Sequence, residues 1–190
     1  MDALLRRRAM IANGGEPPAP PVPTETATFV PSSLDENSVY QSFQTGYPAS
    51  NAYTDADSTT YCSVKWKNGV EAETKMYWKF DTSAIPANAT IVSVSVVAKV
   101  VVSTGNYQTG QSYLCVCEGT TEKGSHTTAN STTAKQYTLD GGSGWTRASL
   151  QDIAVLYHTQ RGQSNETANY YQRFYGATLT VEYTTPSEEE

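Results

Sequence analysis

The run TIVSVSVVAKVVV, residues 90–102, is the clearest indication of fold class in this chain. From Val92 onward, valine or alanine stands at every second position, whereas Ser93, Ser95 and Lys99 stand between them. Successive side chains of a β-strand point to opposite faces, so this alternation predicts a long strand with one face on a core. The residues expected on that face are Val92, Val94, Val96, Ala98, Val100 and Val102.

Two further stretches have the same period of two. In KMYWKFD, residues 75–81, Met76, Trp78 and Phe80 fall on one face. RFYGATLTVEYT, residues 173–184, should be the last strand, deep in a sheet, with Tyr175, Ala177, Leu179, Val181 and Tyr183 on one face. The three stretches together predict a core between two sheets, built on Trp78, Phe80, Val94, Val96, Val100, Leu179 and Val181.

Turn-forming residues separate these strands, as in SAIPAN at 83–88 and DGGSG at 140–144. Several strands divided by such turns predict an all-β protein, an antiparallel β-sandwich.

Leu150, Ile153 and Tyr157 are spaced as on a helix, so one short helix is expected near residues 149–158. The apolar run at 153–157 fits a strand equally well.

Composition and charge exclude several classes of function. Thirteen basic side chains face 19 acidic ones, which gives a formal net charge of -6 without a basic stripe, so nucleic acid is not an expected partner. No apolar run is long enough for a signal-peptide core or a membrane span. We therefore expect the protein to stay in the cytoplasm until it is assembled into something larger.

The chain divides into four parts. Residues 1–23 form an N-terminal anchoring arm with a proline-rich spacer, and residues 24–49 are an extended linker or a first edge strand. Residues 50–184 carry the β-sandwich, and residues 185–190 are an acidic tail. The residues expected to dock the arm on a partner protein are Leu4, Leu5, Arg6, Arg7 and Arg8.

A family resemblance rests on three places in the sequence. The run YWKFDTSAIPANATIVSVSV at 77–96 resembles jelly-roll domains similar to carbohydrate-binding modules. YTDADSTTY at 53–61 and YGATLTVEY at 175–183 fall where those domains carry their first and last strands. The resemblance implies a jelly-roll-like sandwich over about residues 50–184, and such sandwiches serve several functions.

The arm carries a second resemblance. MDALLRRRAMIANGG, followed by prolines, is similar to the start of virion and surface proteins of phages of gut bacteria. It implies a non-enzymatic virion structural or decoration protein of the capsid, neck or tail, assembled in the host cytoplasm and released by lysis. The alternative is a carbohydrate-binding module for host or environmental glycans. A third hypothesis is an accessory domain of a glycan-active enzyme.

Candidate sites for chemistry are few. Neither His126 nor His158 stands beside a recognisable nucleophile motif, so an enzyme is not expected. Cys115 and Cys117 fit small buried hydrophobes, and the absence of a Cys-x-x-Cys pair argues against zinc. Asp55 and Asp57 offer oxygen ligands for calcium, although a turn in which aspartates bond their own backbone is the favoured interpretation.

Aromatic residues are the remaining candidates, because 13 tyrosines and three tryptophans exceed what one small core needs. Stacking on sugar rings or packing in a homo-oligomer would use the surplus. The side chains singled out for glycan or interface contact are Trp66, Trp145, Tyr170 and Tyr171.

Overall fold

The computed structural model describes residues 22–40, 42–66, 72–102, 112–161 and 170–186. The expected docking residues Leu4 to Arg8 lie outside the described residues, as does most of the acidic tail. The strands of the described part are β1 (Thr24–Phe29), β2 (Pro31–Leu34), β3 (Ser42–Phe43), β4 (Cys62–Trp66), β5 (Ala72–Phe80), β6 (Thr90–Val102), β7 (Ser112–Glu118), β8 (Thr121–Glu122), β9 (Thr127–Thr128), β10 (Lys135–Asp140), β11 (Ile153–Arg161) and β12 (Tyr170–Thr184).

The strands form two antiparallel sheets, as the alternating pattern predicts. Sheet A has the order β10-β6-β12-β4-β3, and β1 also pairs with β12. Sheet B has the order β2-β5-β11-β7-β8, and β9 also pairs with β7. The protein is therefore an all-β sandwich, and each sheet has one face on the core and one outer face.

The core lies between the sheets and contains the side chains that the sequence placed there. Trp78 of β5 is fully buried, and its ring is stacked on Phe174 of β12 at a centroid distance of 4.5 Å. The other predicted core residues are also buried: Phe80, Val94, Val96, Val100, Leu179 and Val181. Since each of them lies on the apolar side of an alternating strand, the predicted period is confirmed.

The short helix expected near residues 149–158 is wrong. Within this stretch, Ser149–Asp152 forms a 3-10 turn, like Ala49–Ala52 earlier in the chain, and β11 begins at Ile153 in the middle of sheet B. Ile153 and Val155 face the main core, whereas Ala154 and Leu156 are buried in a second apolar cluster on the outer face. A strand that is buried on both faces does not alternate between apolar and polar residues. This explains why the helical spacing of Leu150, Ile153 and Tyr157 was misleading.

Because of two β-bulges in the β6–β12 pair, the side chains that face the core differ from those predicted. The register shifts between Glu182 and Tyr183, so Ile91 packs on the core and Val92 is 56% exposed. A second shift, between Phe174 and Gly176, buries Phe174 and turns Tyr175 to the outer face. One extra residue in a strand reverses the face of the sheet to which the following side chains point. The alternation in the sequence does not show where such a bulge occurs.

The first strand is not where the resemblance placed it. Residues 53–60 form no strand, whereas β1 pairs with β12 from Thr24 to Phe29 and β2 pairs with β5. Residues 24–49, for which the sequence left an extended linker or a first edge strand open, contain β1, β2 and β3. The sandwich begins directly after the proline-rich spacer.

Candidate functional site

The four aromatic candidates lie in different surroundings. Trp145 is 8% exposed, and its indole Nε1 donates to the Gly141 carbonyl at 2.7 Å. The Lys123 ammonium lies 5.4 Å from the centre of its ring. Trp145 therefore closes one end of the core and offers little surface to a sugar.

Trp66 and Tyr170 are opposite each other in the backbone pairing of β4 with β12. Their side chains lie outside the part of the chain that the structure describes. Tyr171, the next residue of β12, is half-buried on the outer face of sheet A.

Tyr171 belongs to a cluster that we call the tyrosine face. Its rings are half-buried, and three of them contact one another in a row: Tyr47 and Tyr61 are stacked at 4.8 Å, and Tyr61 lies 5.0 Å from Tyr175. Two cations complete the cluster. The members are Tyr47, Tyr61, Tyr171, Tyr175, Arg173 and Lys99.

Arg173 joins the rings. Its guanidinium carbon lies 3.9 Å from the centre of the Tyr171 ring and 4.5 Å from that of Tyr61. The Lys99 ammonium lies 5.2 Å from the Tyr175 ring and donates to the Ser58 carbonyl at 2.9 Å. Cation–π contacts of this kind hold positive charges in place without neutralising them.

The tyrosine face carries two cationic side chains, Arg173 and Lys99. None of the ion pairs formed among the described residues includes Arg173 or Lys99. The hydrogen bond with the Tyr47 hydroxyl, and secondly burial, raise the pKa of Tyr61 above its ordinary value. The phenol of Tyr61 therefore stays neutral at physiological pH.

Sheet pairing brings these residues together from four parts of the chain. Arg173 and Lys99 lie on the adjacent strands β12 and β6, and the bulge after Phe174 turns Tyr175 outward beside Lys99. Tyr61 directly precedes β4. The Tyr47 carbonyl accepts a hydrogen bond from the Ser63 amide at 3.2 Å, which fixes the loop that precedes β4 against that strand.

The loop at 53–60 crosses the outer face of sheet A beside Tyr61. The Thr54 carbonyl accepts from the Ala177 amide at 3.1 Å, and the Ala56 amide donates to the Thr178 hydroxyl at 3.3 Å. The Ala56 carbonyl accepts from the Gln136 side chain at 2.9 Å. The loop is thus bonded to both β12 and β10.

Asp55 and Asp57, the calcium candidates, are in this loop and are exposed. Asp55 accepts from the Asp57 amide at 3.0 Å, which is the backbone-bonding turn that the sequence favoured, and Asp57 accepts from Gln136 at 2.8 Å. Within the described ranges, no third carboxylate, histidine or cysteine joins them at ligand spacing. Two carboxylates fall short of the six to eight oxygens of a calcium site.

The two histidines lie on the opposite side of the molecule, on the outer face of sheet B. His126 is hydrogen-bonded to Glu122 at 2.6 Å, and His158 to Glu73 at 2.8 Å. Cys115 and Cys117 are buried, free thiols on β7 of the same sheet.

Sequence reasoning found one of the six members of the tyrosine face, Tyr171. Tyr47, Tyr61 and Lys99 stand alone in the sequence, in a loop or between strand residues, and no local motif marks them. An arginine between tyrosines in YYQRFY, residues 170–175, was the available signal for Arg173.

The structure thus shows a β-sandwich in which the outer face of sheet A carries a cluster of tyrosines with one arginine and one lysine. No protein-family model matches the sequence, and no curated protein matches it. The helical segments of the described residues are short 3-10 turns, and none of them has the length or apolar character to cross a membrane.

Proposed function

We propose that this protein is a non-enzymatic structural component of a phage virion that displays its β-sandwich to bind acidic glycans. The N-terminal arm, residues 1–23, docks on other virion proteins, and the tyrosine face holds the glycan. The observation that carries the glycan part is the Arg173 guanidinium against the rings of Tyr61 and Tyr171.

Chemistry supports an acidic sugar as the ligand. Half-buried tyrosine rings offer flat apolar area for the C–H face of a sugar ring, and their hydroxyls offer hydrogen bonds. Arg173 and Lys99 favour a carboxylate or a sulfate, and a guanidinium can bind a carboxylate with two parallel hydrogen bonds. Neutral sugars would use the rings and leave the two charges without a partner.

The virion part of the proposal rests on the sequence. The arm resembles the start of phage proteins, and its prolines separate the docking residues from the sandwich. Proline-rich linkers favour extended conformations in general, and in this proposal such a linker would hold the sandwich clear of the surface to which the arm is bound. The outer face of sheet A would then be accessible to a glycan.

The first prediction tests whether the tyrosine face binds acidic glycans. Replacing Arg173 by alanine should weaken binding of sialyllactose about tenfold to a hundredfold, because a charge-assisted hydrogen bond to the carboxylate is lost. Arg173→Lys should have an intermediate effect, since it retains the charge and loses the planar fork. Calorimetric titration with sialyllactose and with lactose measures both the affinity and the preference for the acid.

The matched control is Lys135→Ala. Lys135 is opposite Val100 in the pairing of β10 with β6, so the two share a face, the one opposite to that of Lys99. This variant should bind like the original protein. A glycan array in which acidic glycans bind no better than their neutral counterparts, or not at all, contradicts the glycan part of the proposal.

The second prediction tests the arm. Deleting residues 1–23 should leave the midpoint of thermal unfolding nearly unchanged, because the deletion ends before β1. The truncated protein should be absent from phage particles purified on a density gradient and probed by immunoblot. Its presence at normal copy number would contradict the docking role.

A longer deletion is the control for folding. Removing residues 1–34 also removes β1 and β2, which pair with β12 and β5. This variant should unfold at a clearly lower temperature, because ladder hydrogen bonds and the partly buried Ala27, Phe29 and Leu34 are lost from the sandwich.

A further inference from the structure

The outer face of sheet B contains several side chains of the types that serve as metal ligands. Both histidines of the chain and two of its three cysteines lie there, with Glu73 and Glu122. Tyr113, Cys115 and Cys117 alternate along β7 and face outward together. The tyrosine face is on the other sheet, so glycan binding there makes no use of these residues.

Three of these side chains come together at ligand spacing. The Cys115 Sγ, a Glu122 carboxylate oxygen and a His126 ring nitrogen all lie within 4.8 Å of one another. Among the described residues, this is the one group of three or more such ligands. Thiolate, imidazole and carboxylate are the three protein ligands of zinc-type ions.

The backbone holds the group in place before any ion binds. Glu122 of β8 is opposite Cys117 of β7, and the amides of Lys123 and Gly124 donate to the Val116 carbonyl at 2.9 and 3.1 Å. The Cys115 thiol donates to the Gly124 carbonyl at 3.2 Å. The loop between β8 and β9 is therefore folded back over Cys115.

Gly124 allows this close approach. A Cβ atom at Gly124 would lie 2.1 Å from the Asp140 carbonyl oxygen, so a side chain has no room there. The loop is thereby packed against the end of β10 as well as against β7, and it carries His126 to a fixed place. The His126 ring is stacked on Tyr113 at 3.9 Å.

Two of the three ligand side chains are already bonded to each other. Glu122 and His126 share a hydrogen bond of 2.6 Å, and a metal ion could take the place of the proton between them.

We propose that Cys115, Glu122 and His126 bind one zinc-type divalent transition metal ion, with solvent as its fourth ligand. The Tyr113 hydroxyl donates to Glu122 at 2.9 Å, and this hydrogen bond orients the carboxylate. A sulfur ligand selects such ions over calcium and magnesium. The ion would link β7, β8 and the segment before β9.

Cobalt(II) is the probe for this site, because its complexes with thiolates absorb in the near ultraviolet and visible range. The untagged full-length chain should bind one Co²⁺ per molecule and show a thiolate-to-cobalt charge-transfer band. Cys115→Ser should lose the band, and His126→Gln should weaken cobalt binding by about tenfold or more, since one of three protein ligands is removed.

The matched control is the other histidine. The Tyr113 ring lies 3.9 Å from the His126 ring and 4.7 Å from the His158 ring, and His158 is bonded to Glu73. His158→Gln should therefore bind cobalt like the original chain.

Two results would overturn the proposal. One is a folded chain that binds neither Co²⁺ nor Zn²⁺ at micromolar concentration. The other is binding that persists unchanged in both His126→Gln and Glu122→Gln. The side chains of His126 and Glu122 are 52% and 36% exposed, so these variants should fold even if Cys115→Ser does not.

Discussion

Replacing Trp78 by alanine should lower the free energy of unfolding by about 3–5 kcal/mol, a large share of the roughly 5–15 kcal/mol that holds an ordinary domain together. Trp78 is fully buried between the sheets and is stacked on Phe174, and it meets the edge of Tyr53 at 6.3 Å. Truncation removes this apolar area from the core and leaves a cavity. Equilibrium unfolding in urea, followed by circular dichroism, measures the change.

Two further variants separate packing from other causes. Trp78→Phe should cost less than the alanine variant, because it keeps a ring against Phe174 and removes an indole N–H that has no hydrogen-bond partner among the described residues. Val92→Ala should change stability by less than about 0.5 kcal/mol, since the bulge exposes Val92. If Trp78→Ala were as mild as Val92→Ala, the two-sheet core would be wrong.

Replacing Gly176 by alanine should lower stability by roughly 2–4 kcal/mol, although only one methyl group is added. The φ angle of Gly176 is +144°, and a Cβ atom there would lie 2.4 Å from the Thr54 carbonyl oxygen and 2.5 Å from that of Asp55. The loop at 53–60 would have to leave the sheet or the bulge would have to rearrange. Thermal and urea unfolding of the variant report the loss.

Gly46 provides the control for backbone conformation. Its φ angle is +82°, and a Cβ atom there would have no neighbour within 4 Å. Gly46→Ala should therefore cost only about 1 kcal/mol, the penalty of the left-handed conformation itself. Equal effects of the two substitutions would show that contact with the loop at 53–60 contributes nothing.

Gly176 also bears on the proposed function. The bulge that contains it turns Tyr175 outward, and Ser58 of the adjacent loop accepts the hydrogen bond from Lys99. A folded Gly176→Ala protein should therefore lose affinity for acidic glycans together with stability. Arg173→Ala, by contrast, should lose affinity and keep most of its stability, because the outer face is not part of the main core.

The all-β class, strands β5, β6 and β12, and most of the side chains that face the core could be predicted from the sequence. These features are local, because a strand that is buried on one face must alternate apolar and polar residues, and a slip by one residue would expose the whole apolar set. Trp78, Val96 and Leu179 could therefore be assigned to the core without any knowledge of their neighbours. The same reasoning failed at β11, where burial on both faces removes the alternation.

The two bulges, the early strands and the membership of both outer-face clusters could not be predicted, because they depend on how the strands pair and the loops pack. Arg173 meets Tyr61, and Cys115 meets His126, through strand pairing and loop packing, and these depend on contacts between distant parts of the chain. A bulge adds one residue to a strand where the partner strand and a crossing loop require it, so the sequence near Tyr175 carries no period that reveals it. Local alternation thus specifies which side of a strand is buried, whereas the assembled sheets specify which exposed side chains become neighbours.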